Sequence, residues 1–179
     1  ALLTMCLAFP VAAEEVVTEA PPVVTDIVVT DEFLAQGETV TGLYDSTGIQ
    51  TRAANLITEN SIKLTKSGDN LVVSGYTNGI NGVDKCGFSY VTLQRLVNGN
   101  WEDYMNWTDL YSSSNMYSLG KSVTAAHGYT YRVICNHHAE KPGFLWFRDK
   151  QDIYNETSTL VIDMPLVCLL TRGNAFIVL

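Results

Sequence analysis

From residue 53 onward, apolar and polar positions alternate with a period of two. Ile62 and Leu64 alternate with Lys63 and Thr65. Leu71, Val73 and Gly75 alternate with Val72, Ser74 and Tyr76, and Ser89, Val91 and Leu93 with Tyr90, Thr92 and Gln94. A period of two sends successive side chains to opposite faces, so each run predicts a strand with one buried face. Turn-forming residues punctuate the runs: Lys66-Ser67-Gly68-Asp69-Asn70, Asn78-Gly79, Asn81-Gly82, and Asn98-Gly99-Asn100 ahead of a new run at Trp101. The last of these predicts a hairpin. A shorter run holds Leu119 and Val123, Gly128 introduces Tyr129–Cys135, and Thr157–Ile162 closes the series. With no helical stripe of any length, the pattern predicts an all-β, antiparallel sandwich of about seven strands over residues 53–163.

The ends read differently. Residues 1–13 form an apolar stretch that finishes in Val11-Ala12-Ala13 and meets Glu14-Glu15 at once. That is the form of the back half of a secretory signal peptide, with cleavage expected after Ala13 and the sequence expected to begin inside that peptide. Residues 14–52 hold eight acidic residues and one base, Arg52, so this segment carries −7 of the formal net charge of −8. Rich in Val, Thr, Glu and Pro, it predicts a flexible acidic tail or spacer, although the β-branched run Thr25–Thr30 is compatible with a short strand. Residues 164–179 are apolar but neither alternate nor follow a helical period, and Arg172-Gly173-Asn174 interrupts them. A read-through end, a frame-shifted end and a docked extra strand all remain open for this tail.

Composition narrows the partners. A net charge of −8 offers no basic footprint for phosphates, so nucleic acid is not an expected partner. No apolar run reaches about 18 residues, so no stable membrane span is expected.

Val91-Thr92-Leu93-Gln94-Arg95, Gly99-Asn100-Trp101 and Gly128-Tyr129-Thr130-Tyr131-Arg132-Val133 are similar to strands C, C′ and F of fibronectin type III and immunoglobulin-like domains. The Tyr-x-Tyr-Arg-Val run resembles the start of strand F, where a tyrosine hydroxyl returns to backbone at a corner. With Ser74-Gly75-Tyr76-Thr77, these motifs also resemble a domain-of-unknown-function family of small secreted proteins from Gram-positive, largely gut-dwelling bacteria. The resemblance implies a secreted sandwich and no known activity, and it supplies no functional residues.

The residues that could carry chemistry are few. Of four cysteines, Cys86 and Cys135 fall inside the sandwich. Export would permit a disulfide between them, and two free, partly buried thiols are the alternative. His137 and His138 are neighbours, so in an extended strand they point apart and cannot share a metal. His127 stands elsewhere. Glu102-Asp103 diverges in the same way, and no nucleophile elbow or Gly-rich phosphate loop is present. No catalytic, metal or cofactor site is therefore expected.

Aromatic residues are the best surface candidates. Trp101, Tyr104, Trp107, Tyr111 and Tyr117 crowd the central hairpin, with Trp101 expected in the core. Phe144-Leu145-Trp146-Phe147 lies between Lys141-Pro142-Gly143 and Arg148-Asp149-Lys150. Four large apolar residues in a row cannot all face one core, so this segment reads as a hairpin tip. Phe144, Trp146, Phe147, Tyr104 and Tyr111 are the candidate binding surface. In the competing reading, two of the four cover the open end of the sandwich and the others pack on the C-terminal tail. The functional expectation is a non-catalytic protein that binds a protein or a glycan at or beyond the cell surface. A bacteriocin-like secreted effector is the alternative, and a hydrolase follows it for want of any motif.

Overall fold

The computed structural model describes residues 20–28, 39–41, 55–164, 170–171 and 174–175. Residues 1–13, read above as a signal peptide remnant, and most of 164–179 lie outside them. Among the described residues there are strands and turns and no helix, hence none long and apolar enough to cross a membrane. The strands in chain order are β1 (Val24–Asp26), β2 (Thr39–Thr41), β3 (Ile57–Ser67), β4 (Asn70–Gly79), β5 (Lys85–Val97), β6 (Asn100–Ser112), β7 (Met116–Thr124), β8 (Tyr129–Pro142), β9 (Arg148–Glu156), β10 (Leu160–Ile162), β11 (Leu170–Thr171) and β12 (Asn174–Ala175).

The first sheet has the order β1-β7-β4-β3-β2. The second runs β10-β8-β5-β6, with β9 also paired to β8, and β11 and β12 pair with each other. All pairings are antiparallel. Strands β9 and β10 lie in line along one side of β8: Glu156 faces Ile134, Leu160 faces Tyr131, and the chain bulges at the intervening residues. There Thr157 N–H donates to the Val133 carbonyl and Thr157 Oγ1 accepts from Val133 N–H. The seven lines of strand over 53–163 match the alternation, except that the last is longer than Thr157–Ile162 predicts and begins at Arg148. The acidic stretch 14–52, expected to be a solvated tail, contributes two short edge strands, β1 beside β7 and β2 beside β3.

The core follows from strand parity. Ile62, Leu64, Leu71, Val73, Leu119 and Val123 line the inner face of the first sheet, and Phe88, Val91, Leu93, Tyr131, Val133 and Cys135 that of the second. Phe88 and Val91 are three apart, yet both face in because Ser89 is an extra residue opposite β8 and resets the parity. Tyr104 is likewise extra on β6 opposite β5, so neighbouring Tyr104 and Met105 both pack on the core. The β5–β6 hairpin closes on Asn98-Gly99, both left-handed (φ 51° and 81°), as a type I′ turn requires. Among the described residues nothing pairs with the outer edge of β6, which is further irregular at Asp109 (φ 55°).

The corner before β8 is built by Tyr131. Its ring is fully buried, its hydroxyl donates to the Ala126 carbonyl at 2.9 Å, and it accepts from the Ala126 N–H at 2.9 Å. Tyr104 meets this ring edge-on at 5.5 Å. Tyr129 is only half-buried, with the Arg95 guanidinium 4.8 Å over its ring. Trp101 does not enter the core as expected. It lies on the outer face of the second sheet, where the Arg132 guanidinium covers it at 4.3 Å and reaches Gln94 and Glu156.

A smaller core of Leu56, Ile57, Val83, Cys86 and Ala139 sits at one end of the sandwich. Gln151 ties it together, its Oε1 accepting from Leu56 N–H at 2.6 Å and Ile57 N–H at 2.8 Å. Beyond this end the β8–β9 hairpin continues.

Candidate functional site

The β8–β9 hairpin is paired to its last rung, Pro142 opposite Arg148. Residues 143–147 close it. Gly143 N–H donates to the Phe147 carbonyl, and Phe147 N–H to that of Phe144. Pro142 cannot donate to a further rung, so the ladder stops there. Among the described residues the apolar run then has nothing to pack on. Phe144 is 83% exposed, Trp146 81%, Phe147 67% and Leu145 64%, so none of the four is covered by the end of the sandwich, while the expected packing on the C-terminal tail falls on residues outside those described. Leu145 at the apex is left-handed (φ 61°). That conformation costs a side-chain-bearing residue about 1–2 kcal/mol, and glycine or asparagine ordinarily takes it.

The stem is held by a charged clamp on the outer face of the second sheet. Glu140 is nearly buried and accepts from Arg148 Nε at 2.7 Å, Lys85 Nζ at 3.1 Å and His138 Nε2 at 2.9 Å, with Lys150 Nζ at 3.5 Å. His138 Nδ1 donates to Asp152 at 2.7 Å, which also accepts from Asn136. Arg148 bonds Asp84 as well. Burial opposes the charge on Glu140, but the hydrogen bonds from His138, Lys85 and Arg148 outweigh it and hold its pKa down to about 2. Burial likewise opposes charge on His138, and the bonds to Asp152 and Glu140 outweigh it and raise its pKa. His138 is thus an imidazolium with both ring nitrogens committed to carboxylates, a brace and not a free base.

The expected candidates are not brought together. Tyr111 is half-buried beside the clamp, with Lys85 Nζ 4.1 Å above its ring and His138 against its edge. Its rung passes through Gly87 to His138, five residues and about 15 Å before the tip begins. Tyr104 is at the other end of the sandwich, packed on the core with its hydroxyl donating to the Thr124 carbonyl. Of the five aromatic candidates, only Phe144, Trp146 and Phe147 share a surface, and the rings of the last two stand 6.4 Å apart.

The histidines separate as strand parity demands. His137 is fully buried between the sheets. Thr77 Oγ1 donates to the Gly87 carbonyl, so it accepts from His137 Nδ1–H at 2.7 Å. Nε2 then accepts from Asn155 Nδ2–H at 3.2 Å and faces the Cys135 thiol at 3.5 Å. Burial pulls the His137 pKa down to about 3. Cys86 and Cys135 are free, buried thiols, and the expected bridge between them is not formed. Cys86 stands opposite Ala139 and Cys135 opposite Val91, a separation of about 13 Å along the ladder, whereas a disulfide needs Cα atoms within about 7 Å. Burial pushes both thiols up, so neither is a nucleophile at neutral pH. Among the described residues no cluster of ligating side chains could hold a metal ion.

The clamp is what sequence reasoning missed. Its signal was present: His138 and Glu140 mirror Asp152 and Lys150 about the apolar loop, the charge pattern of a hairpin stem. No protein-family model, curated protein or solved structure matches the chain.

Proposed function

We propose that the chain is a secreted, non-catalytic β-sandwich of the immunoglobulin or fibronectin type III kind. It binds a protein or a glycan at or beyond the cell surface through the tip at residues 143–147. The carrying observation is that four consecutive large apolar side chains stand in solvent at the end of a braced stem. Contiguous exposed apolar surface rimmed by charge marks interaction sites, and aromatic anchors dominate their energetics. A rigid stem lowers the ordering cost of binding. Leucine in the left-handed position points the same way: Gly would suit the turn better, so the apolar side chain is kept at a conformational cost. The strand order β3-β4-β7 against β9/β10-β8-β5-β6 and the tyrosine corner at Tyr131 support the immunoglobulin or fibronectin kinship. Signal-like residues 1–13 support export. The non-catalytic reading rests on the groups that could act as bases or nucleophiles within the sandwich: Glu140, His138 and Asp152 are braced by one another and by Arg148, and His137, Cys86 and Cys135 are buried.

Sedimentation of the full chain with whole cells and with insoluble chitin, cellulose and peptidoglycan tests this. Wild type is retained on at least one of them, while Trp146→Ala and Leu145→Gly are released, with the Trp146→Ala melting temperature unchanged and that of Leu145→Gly unchanged or raised. Retention of both variants at the wild-type level, or of wild type on none of these surfaces, overturns the assignment, as does Trp146→Ala melting several degrees lower.

A further inference from the structure

On the opposite side of the molecule, the outer face of the first sheet carries a cavity of about 440 Å³. Two rungs of the ladder form its floor. Ser61, Tyr76 and Ser118 stand side by side on β3, β4 and β7, and Lys63, Ser74 and Gly120 make the next rung. These positions define a grid of about 5 by 7 Å. Gly120 puts no side chain beside Ser74. Ile27, whose N–H donates to the Gly120 carbonyl at 3.0 Å, forms a wall with Val28. The rung beyond is closed by buried Thr65 and Val72.

Two observations separate this cavity from an idle groove. Ser74 is 4% exposed, and its hydroxyl has no hydrogen-bond partner. An unpaired buried hydroxyl costs about 1–3 kcal/mol, and a bound polar group would recover it. Lys63, at the same rung, has no carboxylate partner among the described residues. The cavity therefore offers three serine hydroxyls that both donate and accept, one ammonium without a carboxylate partner among the described residues, and apolar cover from Ile27, Val28 and the Tyr76 ring. Its volume falls in the range of small-molecule sites, about 300–1,000 Å³.

We infer that this cavity binds a small polyhydroxylated carboxylate, an acidic monosaccharide. A single ammonium, with neither a guanidinium fork nor a helix N-terminus beside it, suits one carboxylate better than a phosphate. The serines match ring hydroxyls, and the apolar wall matches the C–H face of the ring. The site lies on the other sheet from the hairpin tip and stands independently of it.

Amide chemical-shift titration of the full chain with glucuronate, N-acetylneuraminate, glucose, acetate and inorganic phosphate tests the inference. The two sugar acids should produce saturable shifts at Ser74, Ser118 and Gly120, with glucose, acetate and phosphate at least about tenfold weaker. Ser74→Ala should weaken the sugar acids about tenfold, the size of one hydrogen bond, while the melting temperature stays or rises because an unpaired hydroxyl is gone. Lys63→Met should erase the preference for glucuronate over glucose. Absence of shifts at these amides with either acid, equal response to phosphate, or wild-type affinity in Ser74→Ala overturns the inference. So does a Ser74→Ala protein that melts several degrees lower, because the hydroxyl would then hold a structural bond.

Discussion

His137 should make the fold lose stability in mildly acidic solution. Its ring is enclosed between the sheets, donating through Nδ1 to Thr77 and accepting at Nε2 from Asn155, so the native state has no place for a second ring proton. Its pKa of about 3 compares with about 6.5 in an unfolded chain. The folded value is the lower one, so the stabilising contribution is complete above about pH 6.5 and is lost as pH falls from there toward 3. In the middle of that range, unfolding takes up close to one proton. Integrating the linkage relation gives a loss of about 1.2 kcal/mol between pH 6 and pH 5, and on the order of 4–5 kcal/mol by pH 3. The window from pH 6 to pH 5 isolates the residue. His138 has a raised folded pKa, so its contribution is intact below about 6.5 and is lost only as pH rises through that higher value. Glu140, with its folded pKa at about 2, begins to lose its contribution only below the ordinary carboxylate range, near pH 4.3. The assay is urea unfolding of wild type and His137→Gln at pH 5.0, 5.5 and 6.0. The variant starts less stable, having lost a shaped core ring against Phe88, but its stability should be flatter across the window by about 1.2 kcal/mol. Parallel curves for the two proteins would refute the buried, neutral assignment of the ring.

Three further outcomes follow from the same geometry. Tyr131→Phe keeps the ring but strands both backbone groups of Ala126, so it should cost about 1–3 kcal/mol in chemical unfolding with no change in m-value. Cys86 and Cys135 should resist alkylation in the native protein and both react in denaturant without reductant; a mass consistent with a disulfide would contradict the free thiols. In Glu140→Gln, the His138 titration midpoint observed by NMR should fall, since one of its two carboxylate partners is neutralised, and an unchanged midpoint would dissolve the clamp.

Alternation along Ile62–Leu64, Leu71–Val73 and Tyr131–Cys135 made the strands and most of the core legible, because a half-buried strand must repeat every two residues. The corner at Tyr131 was legible for a different reason, a local motif with a hydroxyl that needs a nearby backbone partner. Phase shifts were not. Ser89 and Tyr104 each reset the parity, and no composition cue marks a bulge in an otherwise good strand. Trp101 was misplaced on the same account: size argued for burial, whereas Arg132 supplies an outer-face cover that only the register reveals. The Cys86–Cys135 pairing failed because sequence proximity to a common core says nothing of distance along the ladder. The apolar tip was readable from four large residues in a row between turns. The serine-lined cavity was not, since Ser61, Ser74 and Ser118 come from three strands and look like ordinary solvent-face polars until the sheet aligns them.

The outer edge of β6 bears on how copies of this chain meet one another. An edge of thirteen residues is long enough to template a second sheet. It is broken by the extra residue Tyr104 and by the left-handed Asp109, which leaves no unbroken extended run longer than four residues, with Met105–Thr108 at the centre. If two copies paired antiparallel about a two-fold axis at Asn106, Asp103 of each would be set against Asp109 of the other. Two like-charge contacts would then flank a ladder too short to offset them. The strand therefore discourages edge-to-edge growth at neutral pH.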